Sequence, residues 1–179
     1  MAIMATKTEI IVLGGGCFWC TEAVFSMFKG VVRTMPGYAG GTSRNPTYEQ
    51  VCTGRTRHAE VLELEYDPKV APLEKLLDIF FSMHDPTSLN RQEADVGSQY
   101  RSIILYTSDA QKAVIEKHIA SIKGNYQKPI VTEVKKLDKF YPSEDYHKDY
   151  YKSNPLQPYC MLVIRPKVKK IKDKFKPEG

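Results

Sequence analysis

Cys17 follows three glycines, Gly14-Gly15-Gly16, and is followed at once by Phe18, Trp19 and Cys20. Ahead of it, Glu9-Ile10-Ile11-Val12-Leu13 is a short apolar, β-branched run that predicts a buried strand. Behind it, Ala23, Val24, Met27 and Phe28 recur at helical spacing. The chain therefore passes from strand through glycines into a helix, with Cys17 at or near the helix N-terminus. Unpaired N–H groups and the helix dipole favour an anion there, so the thiol is expected to shift towards thiolate. The chain's one tryptophan stands two residues away beside a phenylalanine. A reactive sulfur next to an aromatic wall suits a small apolar group. The plainer alternative is a glycine turn with a buried structural cysteine.

A second candidate is a carboxyl. Residues 57–67 alternate, which places Glu60, Leu62, Leu64 and Tyr66 on one strand face and Ala59, Val61, Glu63 and Glu65 on the other. On the more apolar face Glu60 would lose hydration, its pKa would rise, and it could act as a general acid. On parity alone, a strand-end glutamate reaching water is the plainer reading. Of the histidines, His84 reads as a helix-end cap, His118 as a surface residue and His147 as structural. His58 shares the face of Glu60, and its role is left open.

The elements around these residues follow from pattern. A strand is expected over 31–35, and the glycine-rich 37–41 reads as a flexible loop. A short helix is expected over 46–52 and a longer one over 71–83, where Leu73, Leu76, Leu77, Phe80 and Phe81 form a stripe. Residues 87–98 read as a polar loop, and 100–106 as a strand with two apolar faces, central in its sheet. A helix starts at Ser108-Asp109 and stops at Gly124-Asn125; strands are expected over 129–134 and 160–164, and a basic helix or tail over 166–175. This irregular mixture predicts an α/β (α+β) two-layer sandwich, with helices packed on a mixed sheet.

The length of 179 residues fits a single domain, 1–179, with a basic tail from about 166. The net charge of +5 owes much to that tail, through Lys167, Lys169, Lys170, Lys172, Lys174 and Lys176. Such a run reads as a solvated end, and no arginine-rich run interleaved with aromatics points to nucleic acid. No apolar stretch approaches the roughly 18 residues that would span a membrane. The start of the chain lacks a secretory pattern. Four cysteines in this setting point to a reducing compartment, the cytoplasm, and to chemical use.

Several of these segments, taken together, resemble the A-type peptide methionine sulfoxide reductases. They are Gly16-Cys17-Phe18-Trp19, Gly37-Tyr38-Ala39-Gly40-Gly41, Tyr48 with Cys52, His58-Ala59-Glu60, and Asp95 through Ser102. The resemblance runs from about Ile10 to Ile164. It implies that Cys17 is the nucleophile and Glu60 the general acid. Tyr48, Asp95 and Tyr100 would hold the sulfoxide oxygen and the acid. Phe18 and Trp19 would receive the substrate methyl group, Tyr159 would line the pocket further, and Cys160 would be a resolving cysteine. The implied fold is that family's compact sandwich.

The implied activity is reduction of the S epimer of methionine sulfoxide, protein-bound or free. Cys17 becomes a sulfenic acid, a second thiol condenses with it, and thioredoxin or a similar dithiol reduces the disulfide. No metal or organic cofactor is implied, and a monomer is expected. One departure stands out: Cys20 occupies a position that is glycine in many members, which makes a C-x-x-C pair. The resolver therefore stays open between Cys160, which the reading favours slightly, and Cys20. Cys52, next to Tyr48 and Val51, is placed on a packed helix face. Two rival readings remain: a thioredoxin-like disulfide oxidoreductase using Cys17 and Cys20, and a zinc protein using Cys17, Cys20, Cys52 and His58.

Overall fold

The computed structural model describes residues 5–177. The very start of the chain, where no secretory pattern is read, lies outside the described residues, as do the last two residues of the basic tail. In chain order the elements are β1 (Glu9–Gly15), α1 (Phe18–Phe25), β2 (Val31–Ala39), α2 (Tyr48–Cys52), β3 (Ala59–Tyr66) and α3 (Leu73–Met83). Then follow β4 (Arg91–Gln92), β5 (Asp95–Val96), β6 (Ser102–Tyr106), α4 (Asp109–Ile122), β7 (Glu133–Lys136), β8 (Phe140–Pro142), α5 (Tyr150–Ser153) and α6 (Arg165–Phe175).

Six strands form one mixed sheet in the order β7-β6-β1-β3-β2-β8; β6 and β7 run parallel and every other pair antiparallel. The alternation read over 57–67 holds. Leu62, Leu64 and Tyr66 face the main core, with Leu76, Leu77 and Phe80 of α3 and Val24 and Phe25 of α1. Ala59 and Val61 face a smaller apolar layer with Val12, Ile103 and Leu105. Ile104 faces the main core while Ile103 faces the other side, so β6 is buried on both faces, as an interior strand should be. The two-layer sandwich on a mixed sheet is thus what the chain adopts.

Four local expectations are corrected. Gly37, Tyr38 and Ala39 are not a loop; they end β2, paired with β3 on one edge and β8 on the other. A side chain at Gly37 would collide with the Phe140 ring and the Tyr141 carbonyl, so glycine serves close strand approach there. The strand expected from Pro129 begins only at Glu133. Pro129 has no N–H to donate, and the Val131 N–H is spent on the Pro86 carbonyl.

Cys160–Ile164 is not a strand but a π-helical turn that runs straight into α6. Its apolar residues extend a helical stripe, since Ile164, Val168 and Ile171 are all buried in the main core. The Arg165 N–H reaches back to the Cys160 carbonyl immediately before Pro166, which can donate nothing. His118, expected at the surface, is also largely covered: its ring stacks on Phe81 and lies 3.3 Å from Asp78 Oδ1.

Candidate active site

β1 delivers Cys17 to the end of the sheet. Gly16 turns the chain at φ 105°, a region side-chain-bearing residues rarely enter. Cys17 then serves as N-cap of α1, its carbonyl accepting from the Cys20 and Thr21 N–H groups at 3.1 and 3.3 Å. The first free amide of the helix, on Phe18, donates to Glu60 Oε1 at 3.3 Å. The next, on Trp19, lies close enough to favour negative charge on the Cys17 sulfur. One helix end therefore serves the thiol and the carboxyl together.

The thiol does not shift towards thiolate in the free protein. Burial, the hydrogen bond to Cys20 and the nearby Glu60 charge push it well above its ordinary range, and the Trp19 N–H only opposes them. A helix end that stabilises an anion in water cannot offset the loss of water around a thiol this deeply buried. Glu60, the first inward residue of β3, is 2% exposed. Burial foremost, with Asp95 and Cys20 adding, pushes its carboxyl up to about 8 against the Phe18 N–H. Its Oε2 is buried without a hydrogen-bond partner. The strand-end reading is thereby excluded: this is a neutral acid with one oxygen unengaged.

The other residues named from the sequence lie near this pair. Burial and the Glu60 charge raise the Tyr48 and Tyr100 phenols well above their usual range, so both lie within electrostatic reach of the acid. Asp95 accepts from the Tyr159 hydroxyl at 2.7 Å, and that hydroxyl is 3.9 Å from the Cys20 sulfur. Trp19 stacks flat on Tyr150, with ring centroids 3.7 Å apart, and meets Tyr159 edge-on. Phe18 is buried against Tyr38 and Val51.

Three supporting residues were not identified from the sequence as partners of the site. His147 Nδ1 accepts from the Trp19 indole at 3.0 Å, so the indole is held by a hydrogen bond as well as by stacking. Glu144 accepts from the Tyr38 hydroxyl at 2.9 Å and the Tyr48 N–H at 3.0 Å, tying β2 to α2. Glu22 is a buried carboxylate on α1 that holds Lys148 and Asp149. The only signal in the sequence was a cluster of aromatic and charged residues over 140–151; its partners lie 96 to 128 residues upstream and no local pattern names them.

All four cysteines are free. The neighbouring Cys17 thiol lowers Cys20 against the effect of burial, and Lys167 in α6 favours the Cys20 thiolate further. Cys160 is wholly buried and feels the charge of Cys20. Cys52 corrects its expectation: it is exposed, with Tyr48 close enough to perturb its thiol. His58 has both ring nitrogens engaged, accepting from the Gly41 N–H at 3.0 Å and donating to the Ser43 carbonyl at 2.7 Å. Its place is therefore to pin the glycine turn, which removes it from the zinc reading, and no group of three metal-ligating side chains gathers among the described residues.

Comparison with known proteins places this constellation. Residues 9–178 match the family profile described as peptide methionine sulfoxide reductase. A peptide methionine sulfoxide reductase MsrA of Sulfolobus acidocaldarius is 55% identical over 167 residues, covering 93% of this chain and 95% of its own. One from Thermus thermophilus is 50% identical over 168 residues, covering 94% and 96%. Among solved structures, reduced Mxr1 of Saccharomyces cerevisiae superposes with a TM-score of 0.81 at 37% identity, covering 86% of this chain and 90% of that one. Mxr1 has also been solved in complex with Trx2, and that structure matches with a TM-score of 0.59 at 27% identity over 84% and 89% of the two chains. A buried thiol and a neutral carboxyl on one helix end, in this sheet and with these relatives, make the chain a member of the peptide methionine sulfoxide reductase family, A type, and an oxidoreductase.

Proposed function

We propose that the protein reduces the S epimer of methionine sulfoxide, free or within oxidised polypeptides, with Cys17 as nucleophile and Glu60 as general acid. The observation that carries this reading is the neutral, buried Glu60, whose Oε2 has no partner and whose Oε1 is bonded to the N–H of the residue after Cys17. The Cys17 sulfur attacks the sulfoxide sulfur, the oxygen takes the Glu60 proton, and the carboxylate so formed takes up the proton that the Cys17 thiol sheds. The substrate S–O bond breaks, methionine leaves, and the hydroxyl remains on Cys17 as a sulfenic acid. Tyr48 and Tyr100, both held protonated, donate to the oxygen as charge develops on it. Phe18 and Trp19 receive the methyl group, with Asp95 and Tyr159 holding the far side through their hydrogen bond.

The closeness of Cys20 to Cys17, one helical turn apart with each thiol perturbing the other, favours Cys20 as the thiol that resolves the sulfenic acid, releasing water and leaving a Cys17–Cys20 disulfide. Overall, one sulfoxide and two thiols give one sulfide, one disulfide and water. Thioredoxin or another dithiol protein then reduces the disulfide; the complex of the related Mxr1 with Trx2 supports that partner. Use of thiols as thiols fits a reducing cytoplasm, and the active unit is a monomer.

The test is mass spectrometry after one equivalent of resolved methionine sulfoxide. Wild type should lose two thiols and give one methionine from the S epimer only. Cys17→Ser should give none, because an alcohol there is a far weaker nucleophile. Normal methionine release by Cys17→Ser, or equal consumption of both epimers, would overturn the reading.

A further inference from the structure

Among the buried charged side chains that take no part in the chemistry above, Glu22 is the one placed on α1 itself. Glu22 lies one helical turn beyond Phe18 on α1, is 3% exposed, and carries three long-range partners. Its Oε2 is 2.9 Å from Lys148 Nζ and accepts from Thr34 Oγ1 at 2.9 Å; its Oε1 accepts from the Asp149 N–H at 2.6 Å. Lys148 Nζ also donates to Thr34 Oγ1 at 3.1 Å, which closes a network among α1, β2 and the segment before α5. Asp149 holds a left-handed backbone at φ 53°, and its N–H points at Glu22 in that conformation.

The location of this network gives it meaning. Lys148 and Asp149 stand between His147, which accepts the Trp19 indole N–H, and Tyr150, on which the same indole stacks. On α1, Glu22 is three residues past Trp19, the spacing of neighbours on one helix face. Trp19 lines a cavity together with Glu22, Ala23, Met27, Asp149 and Val168. If Lys148 and Asp149 lift from α1, the indole loses its hydrogen bond to His147 and its stack on Tyr150, keeps only the Tyr159 edge, and has that space beside it.

We propose that Glu22 is a positioning residue for sulfoxide reduction: by binding Lys148 and Asp149 to α1 it fixes His147 and Tyr150, and through them the Trp19 wall of the methyl pocket. The inference rests on the reading of Trp19 as that wall. A pair buried on the Glu22 side holds its geometry firmly, because removing one partner strands a charge out of water. Methyl recognition depends on a wall held in place, and small displacements of a positioned group are costly in rate.

The experiment uses Glu22→Gln, Lys148→Met and Lys148→Arg in the full chain. Trp19 is the only tryptophan, so its emission reports one position. For Glu22→Gln and Lys148→Met we expect red-shifted emission and greater acrylamide quenching. We also expect KM for the sulfoxide to rise by about tenfold or more, with the saturating single-turnover rate falling less. Lys148→Arg keeps the cation and should stay close to wild type in both. Should Glu22→Gln fail to fold, Lys148→Met, changed at the half-exposed end of the pair, carries the test alone. Lower melting temperature with unchanged emission and unchanged KM would overturn the proposal and leave Glu22 as a stabilising residue only. Shifted emission with unchanged KM would instead sink the reading of Trp19 as the methyl wall, and the two failures stay distinct.

Discussion

At the scale of single residues, the site is governed by one carboxyl that is neutral when most glutamates are charged. Glu60 has its folded pKa raised from 4.5 to about 8. Its proton is available below that value, so the rate of methionine release in a single turnover should fall as pH rises through about 8. Glu60→Gln should cut that rate on the order of 10²-fold and abolish the alkaline limb; rapid-quench measurements from neutral to alkaline pH check both. The same shift has a sign for stability. A folded pKa above the unfolded one contributes stability that is complete below the unfolded pKa and lost as pH rises through the folded pKa. Glutamine loses nothing with pH, so Glu60→Gln should gain on wild type between pH 4.5 and about 8 and then level off. Urea unfolding at three pH values tests this, and a pH-independent difference would mean Glu60 does not titrate as described.

At the scale of elements, α1 and the Cys160 turn compete to supply the second thiol. Cys20 is held within one turn of Cys17, while Cys160 is fixed in a buried turn continuous with α6. We therefore expect Cys20→Ser to stop at a sulfenic acid after one turnover and Cys160→Ser to keep forming a disulfide, by thiol titration; Cys52→Ser, at the exposed sulfur near Tyr48, is the third arm. At the β2 edge, Gly37→Ala should cost a few kcal/mol, since the added carbon meets Phe140 and the Tyr141 backbone; a denaturation midpoint within error of wild type would contradict that packing. The reading of these elements from sequence succeeded where periodicity was long. The β3 alternation, the α3 stripe and the glycine passage from β1 to α1 each follow from spacing alone. It failed at Cys160–Ile164, where Met161-Leu162-Val163 suggests a strand, yet Ile164, Val168 and Ile171 carry a helical repeat across the boundary. It also failed for the Cys17 thiol, because a helix end is visible in a sequence and the depth of its burial is not. Glu144, His147 and Glu22 act through partners far away in the chain, which no local pattern encodes.

At the scale of the whole molecule, the basic C-terminal segment is part of the core. Val168 and Ile171 of α6 are buried with α1 and α3, while Lys169, Lys170, Lys172 and Lys174 face water. Ile171→Ala should therefore destabilise the protein by about 2–5 kcal/mol, as for other deep aliphatic truncations; a surface tail would give almost no change in urea unfolding. The sheet order has a further consequence. β1 is hydrogen-bonded along both edges, to β3 and to β6, and Cys17 follows only two residues after it ends. In amide hydrogen exchange, strands paired on both sides open only with the whole domain. The nucleophile is thus tethered to the slowest-exchanging part of the chain, whereas Lys148, Asp149 and α5 rest on side-chain contacts that open earlier. Mild denaturant should accordingly strip the protein of affinity for sulfoxide while Cys17 still resists alkylation, so that recognition is lost before the reacting sulfur is laid bare.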